Sequence, residues 1–143
     1  MKNNHQSLGR QNIDELIAYW LATAAHDYQV MLKLFTAKEY SHCLFLGHIV
    51  LEKMLKAAVV KETEKQAPYS HGLVFLAGLL KQTKLGQSKL NLLDDVNHFN
   101  MRARYPDFKL KFYKLCTRAY TERYLKQIKK LYSQLCQEVK QKK

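Results

Sequence analysis

Apolar side chains recur at three- and four-residue steps along most of the chain. Ile13, Leu16, Ile17, Trp20, Leu21, Ala24, Tyr28, Met31, Leu32 and Phe35 form the first series. That spacing predicts a long amphipathic helix over about residues 12–36. Lys38 to Tyr40 reads as a short link, with Ser41 placed to cap the next helix through its hydroxyl. Leu44, Phe45, His48, Leu51, Glu52, Leu55 and Val59 carry a second helix to about Lys61. Pro68 breaks the pattern, because proline removes a donor and restrains the residue before it. Ser70 then stands as a cap for a shorter third helix holding Leu73, Leu76, Leu79 and Leu80. Gly86 falls in a turn. A fourth helix is expected from about Ser88 to Arg102, with Leu90, Leu93, Val96 and Phe99 or Asn100 inward. In the stretch after Pro106, Phe108, Leu110 and Phe112 alternate as in a strand. With no partner strand elsewhere, residues 107–116 are expected as an ordered loop. Thr117 or Arg118 opens a last helix ending near Lys140, with Tyr120, Tyr124, Ile128, Leu131, Leu135 and Val139 as its stripe.

About five helices joined by short links imply an all-α antiparallel bundle. One domain is expected over 1–143, with a polar segment 1–11 and a basic terminal helix at about 117–140. Gly47, inside the second helix, would cost about 1 kcal/mol relative to Ala. A second helix crossing closely at that point would explain it.

Composition agrees with a packed core: 47% of the residues are hydrophobic and only five are Gly and two Pro, too few turn residues for most β folds. Charge adds an asymmetry. Residues 1–101 carry 11 basic and 9 acidic side chains, a net of +2, whereas 102–143 carry 13 and 3, a net of +10. That basic end is a solvated face, a surface for phosphates, or a dock for an acidic protein.

The segment Met1 to Arg10 is polar, so no secretory leader is expected. No apolar run is long enough for a membrane helix. Cys43, Cys116 and Cys136 are odd in number and none sits at C-x-x-C spacing. This suits free thiols and a cytoplasmic location. The six His show no i, i+4 pair and no His-Glu-x-x-His, and no Gly-rich phosphate loop is present. Neither a metal nor a cofactor is expected. Cys43 falls in an apolar helix, where free Cys packs rather than reacts.

Three segments carry a family likeness. The second helix ends in Glu52-Lys53-Met54-Leu55-Lys56, Tyr69-Ser70-His71-Gly72 precedes the third, and Arg102-Ala103-Arg104-Tyr105-Pro106-Asp107 closes the fourth. Together with Ala25-His26-Asp27-Tyr28 in the first helix, they occur in an order that resembles the HEPN domain family (higher eukaryotes and prokaryotes nucleotide-binding), over roughly residues 12–135. The resemblance implies a bundle of about five helices that often forms a homodimer. It also implies a partnership with a small nucleotidyltransferase, some such pairs acting as toxin and antitoxin. Several branches are metal-independent ribonucleases whose signature is Arg, four to six residues, then His. This chain has no such pair; it has the reverse order, His98 before Arg102 and Arg104. The likeness therefore points to a non-catalytic module that binds a nucleotide or a nucleotidyltransferase. The alternative is a ribonuclease or RNA-binding protein with a non-standard site.

The candidate catalytic residues are His98, Arg102 and Arg104. His98 and Arg102 share a helix face. An Arg can grip a phosphate bidentately while a His exchanges a proton near neutral pH. The structural alternative is a helix-end hydrogen bond for His98 and an ion pair of Arg102 with Asp94, Asp95 or Asp107. Candidates for nucleotide or phosphate binding are Lys53, Lys56, His71, Arg102, Arg104 and Tyr105. Against this, Arg104 would close a salt bridge to Glu52, and the lysine stems would lie over apolar surface with their heads in water. Asp27 is expected to pair with Lys53, Lys56 or His71, and Pro106 to end the fourth helix. Tyr113, Tyr120, Tyr124 and Tyr132 among the basic residues of the C-terminal part are either base-stacking platforms or packing.

Overall fold

A computed structural model describes residues 9–141; residues 1–8, most of the polar segment read at the start of the chain, lie outside the described residues. All of the regular structure described is helical: α1 (Arg10–Thr36), α2 (Tyr40–Thr63), α3 (Leu73–Gly78), α4 (Gln87–Arg104), α5 (Pro106–Leu115) and α6 (Arg118–Lys140).

The first two helices run antiparallel. Arg10 reaches Glu64, Asp27 meets Lys53, and Phe35 packs on Tyr40. The link between them is three residues long. Lys38 sits there at φ 65°, and Glu39 N–H donates back to Leu34 O at 2.8 Å, so the chain reverses through a left-handed helix end built without glycine. Ser41 does not cap α2, whose N-cap is Glu39.

α2 is the centre of the molecule and packs against all five other described helices. It is therefore buried on nearly every side, with Leu44, Val50, Leu51, Met54, Leu55, Ala57 and Val60 at zero exposure. A helix apolar all round has no solvent face to show. The close crossing expected at Gly47 is there. A Cβ built at this glycine would stand 2.8 Å from Ile128 Cδ1 of α6, so the hydrogen atom is what lets the two helices approach.

The main correction concerns residues 107–116, which form α5 rather than a loop and bring the number of described helices to six. The alternation of Phe108, Leu110 and Phe112 conceals a second period. Phe108, Phe112 and Cys116 are four apart, and Phe112 and Cys116 are buried. Pro106 ends α4 as expected but also begins α5 as its first residue, where its missing N–H is no loss. Ser70 is not the cap of α3, which starts at Leu73 after Gly72; its Oγ accepts from the Gly72 N–H at 3.0 Å. Thr117 does cap α6, its Oγ1 accepting from the Tyr120 N–H at 3.2 Å. No described helix is long and apolar enough to cross a membrane.

Candidate functional site

The residues singled out in the sequence separate into two groups on opposite parts of α2. The first surrounds Glu52. Its carboxylate accepts from Lys56 Nζ at 3.1 Å and lies 2.9 Å from His71 Nδ1. Lys56 is almost fully buried, its ammonium held between Glu52 and the face of Trp20 at 5.3 Å. This corrects the expectation of a lysine head in water. Lys53 Nζ bonds Asp27 Oδ2 at 2.6 Å, one of the three pairings considered for Asp27. Each lysine thus already has a carboxylate; Glu52, Lys56 and His71 form a brace beside the start of α3, whereas Lys53 and Asp27 tie α2 to α1.

His48 completes the brace. Its Nε2–H donates to the His71 carbonyl at 3.0 Å, while Nδ1 faces Glu52 at 3.9 Å. Asn97 of α4 accepts the Leu73 N–H at 2.9 Å and so ties α3 to the same spot. Burial lowers the His48 pKa, against the opposing pull of the His71 carbonyl and Glu52. The unfolded chain therefore takes up this proton first. Stability from His48 is present above about pH 6.5 and lost as pH falls through that value toward the folded pKa. The melting temperature is expected to drop on acidification from pH 7.5 to 5.5, and less steeply in His48→Gln. Parallel curves for the two proteins would show that another group is responsible. Glu62 belongs to a lower range. Burial raises its pKa, but hydrogen bonds from the Gln82, Lys81 and Thr83 backbone outweigh that and hold it below 4.5.

The second group lies where α4 turns into α5. Phe45 of α2 reaches this region and Lys53 lies eight residues further along, about 12 Å of helix axis. Arg104 is exposed beside the Tyr105 ring at 5.8 Å and makes no ion pair among the described residues; the predicted bridge to Glu52 is not formed. Arg102 pairs with none of the three expected aspartates. It lies half-buried near Cys116 and Tyr120, whose ionisation it favours against burial, which pushes both groups up to about 12. His98 is exposed, and its Nδ1–H donates to the Asp94 carbonyl one turn back at 2.8 Å.

Arg104 stands on the rim of a groove of about 480 Å³, within the range of small-ligand sites. Ser41, His42 and Phe45 of α2, Ala103 of α4, and Pro106, Lys109, Leu110, Phe112 and Tyr113 of α5 complete it. The walls are mainly apolar, and two cations without an ion pair among the described residues, Arg104 and Lys109, border them. The surrounding surface is unusual as well. Met101, Tyr105, Phe108, Leu110, Tyr113 and Leu115 remain 43–65% exposed, a concentration of large apolar groups on two adjoining helices. With residues 107–116 expected as a loop, this groove goes unannounced; the four-residue spacing of Phe108, Phe112 and Cys116 is the signal for it in the sequence.

Among the described residues no cluster of three or more His, Cys, Asp or Glu is arranged to hold a metal ion. Cys43 is fully buried and its thiol pKa is pushed up to about 12 by burial, so it remains a neutral packing group at ordinary pH.

Comparison with known proteins matches this architecture. The family model described as HEPN domain covers residues 17–140. The crystal structure of TT1696 from Thermus thermophilus superposes with a TM-score of 0.74 at 17% identity, over 85% of this chain and 97% of the other. At that identity the likeness speaks for the fold. No curated protein matches the chain.

Proposed function

From the premise that this chain belongs to the HEPN domain family, we propose that it is a non-catalytic interaction module that docks a partner protein on its α4–α5 face. The observation that carries this reading is the exposed apolar surface of α4 and α5, of which Leu110 and Tyr113 line the groove. Its Tyr, Phe, Met and Arg content is that of protein interfaces, which are rich in these residues. Two cations, Arg104 and Lys109, border the groove, and Lys111 and Lys114 lie, like Lys109, on α5, whose only carboxylate is Asp107. A second copy in a two-fold contact would set these charges against their own duplicates. The partner on this face is therefore acidic, and the small nucleotidyltransferase that the family resemblance implies is the first to test. The homodimer and the toxin–antitoxin pairing implied by the same resemblance belong to this reading, with the dimer contact on another face.

A narrower reading, nucleotide binding, draws support from Arg104 and Lys109 on the groove rim beside the Tyr113 ring. Lys53, Lys56 and His71 have less to offer a phosphate, since Asp27 and Glu52 already hold them. The ribonuclease alternative has less geometric support. His98 bonds back to its own helix and Arg102 lies toward Cys116 and Tyr120.

The test is co-elution with a small nucleotidyltransferase encoded next to this chain. A stable complex is expected, and Leu110→Asp, an exposed position on the groove wall, is expected to weaken it by about 2 kcal/mol or more, roughly 30-fold. A complex indifferent to Leu110→Asp would move the dock elsewhere. Absence of any complex would sink the reading.

A further inference from the structure

A different part of the surface carries the remaining charge. We propose that the seam between α4 and α6 binds a linear phosphate chain. One phosphate sits in a small pocket between Lys89 and Lys130, and the chain continues past Lys126 toward Arg123.

The pocket, about 170 Å³, is lined by Ser88, Lys89, Leu92, Gln127, Lys130 and Leu131. Its polar groups are two ammoniums, a hydroxyl and an amide, with no carboxylate among them. Leu92 and Leu131 are buried and form an apolar floor. Among the described residues Lys89 and Lys130 make no ion pair; Lys89 donates to the Gln134 side chain of α6. The two helices run antiparallel here, with Lys89 opposite Gln134 and Asp95 opposite Tyr124.

Helical geometry extends the site. At 3.6 residues per turn, Arg123, Lys126, Gln127 and Lys130 fall within an arc of about 100°. From Arg123 to Lys130 the axis runs about 10 Å, and the cations along it would neutralise about three phosphates, one between Lys89 and Lys130, one at Lys126 and one at Arg123. Lys126 has one loose partner, Glu122 at 3.8 Å, on the exposed surface. Lys129 points about 100° away from Lys130, on the other flank of α6. The seam closes where Asp95 accepts from the Tyr124 hydroxyl at 3.0 Å, which places a carboxylate at the far end.

The tyrosines of α6 do not provide base stacking here. Arg123 covers the Tyr120 and Tyr124 rings at 5.6 and 5.2 Å, and Phe99 packs on both from within. Recognition therefore rests on phosphates alone. It does not distinguish bases, nor ribose from deoxyribose. Single-stranded nucleic acid and inorganic polyphosphate share this chemistry.

Fluorescence anisotropy of short labelled oligo(dT) and oligo(rU), together with direct titration of inorganic polyphosphate, tests the proposal. With about three phosphates engaged, strand affinity is expected to fall roughly 20-fold between 50 and 200 mM salt, equally for the two oligonucleotides. The K89E/K130E variant is expected to lose at least about tenfold for whichever chain binds, while K129E loses less than about threefold. Binding of polyphosphate alone would name it as the source and leave the site standing. Equal losses in K129E and K89E/K130E would overturn the site, as would failure of both phosphate chains to bind. The Leu110→Asp variant should bind phosphate chains normally, which separates this site from the α4–α5 dock.

Discussion

Replacing Glu52 by Ala is expected to destabilise the protein by about 3–5 kcal/mol, a large part of the stability of an ordinary domain. Removing this carboxylate leaves the Lys56 ammonium, 6% exposed, with only the Trp20 ring beside it. The same change frees His71, which Glu52 holds at 2.9 Å and whose carbonyl anchors His48. The α2–α3 connection should therefore loosen together with the global loss. Removing both charges should restore part of the stability, because the largest component is an unpaired buried ion and not a lost attraction. Glu52→Leu combined with Lys56→Met is expected to lie closer to the wild type than Glu52→Ala does. Denaturant unfolding at pH 7 measures all three proteins. A loss below about 1 kcal/mol for Glu52→Ala would put the pair in the class of exposed salt bridges and contradict the burial argument.

The second large effect is expected at Phe112. Its ring is 1% exposed and meets Phe99, also 1% exposed, at a centroid distance of 5.3 Å. Phe112→Ala should lower stability by about 3–5 kcal/mol, the usual range for an aromatic core truncation. Its distribution matters more than its size. α5 has ten residues and is too short to persist without tertiary packing. Hydrogen exchange over 106–115 is expected to accelerate well before that of α2. The groove loses one wall with it, so partner binding should fall beyond what Leu110→Asp alone produces. Uniform acceleration across all helices would show that Phe112 supports the whole core equally and that α5 is not a separately anchored element.

Much of the fold was legible because helical periodicity is a local property. The α1, α2, α4 and α6 stripes are visible within windows of three or four turns, and Gly47 alone signals the close crossing that Ile128 makes. The α5 segment was not, since Phe108, Leu110 and Phe112 satisfy a period of two as well as part of a period of 3.6. Over ten residues the two patterns are hard to separate, and Pro106 marks the end of one helix as readily as the start of the next. The structure decides for the helix because Phe112, packed on Phe99, and Cys116 are both buried, and the four-residue spacing puts them on one face.

For the candidate sites, chemistry was legible at the level of residue type but not of partnership. Asp27 with Lys53 was foreseen among several options. Glu52 with Arg104 was an equally reasonable pair in the sequence, yet the carboxylate lies with Lys56 and His71 while Arg104 stands at the other end of α2. By itself, then, the amino-acid order determined an all-α bundle, a close helix crossing at Gly47, a basic C-terminal part and the HEPN likeness, all of which follow from spacing and composition along the chain. Only the tertiary structure decided which cations are neutralised and which face water. That depends on side chains brought together from positions as far apart as Asp27 and Lys53 or Lys89 and Lys130, and no local pattern encodes such encounters.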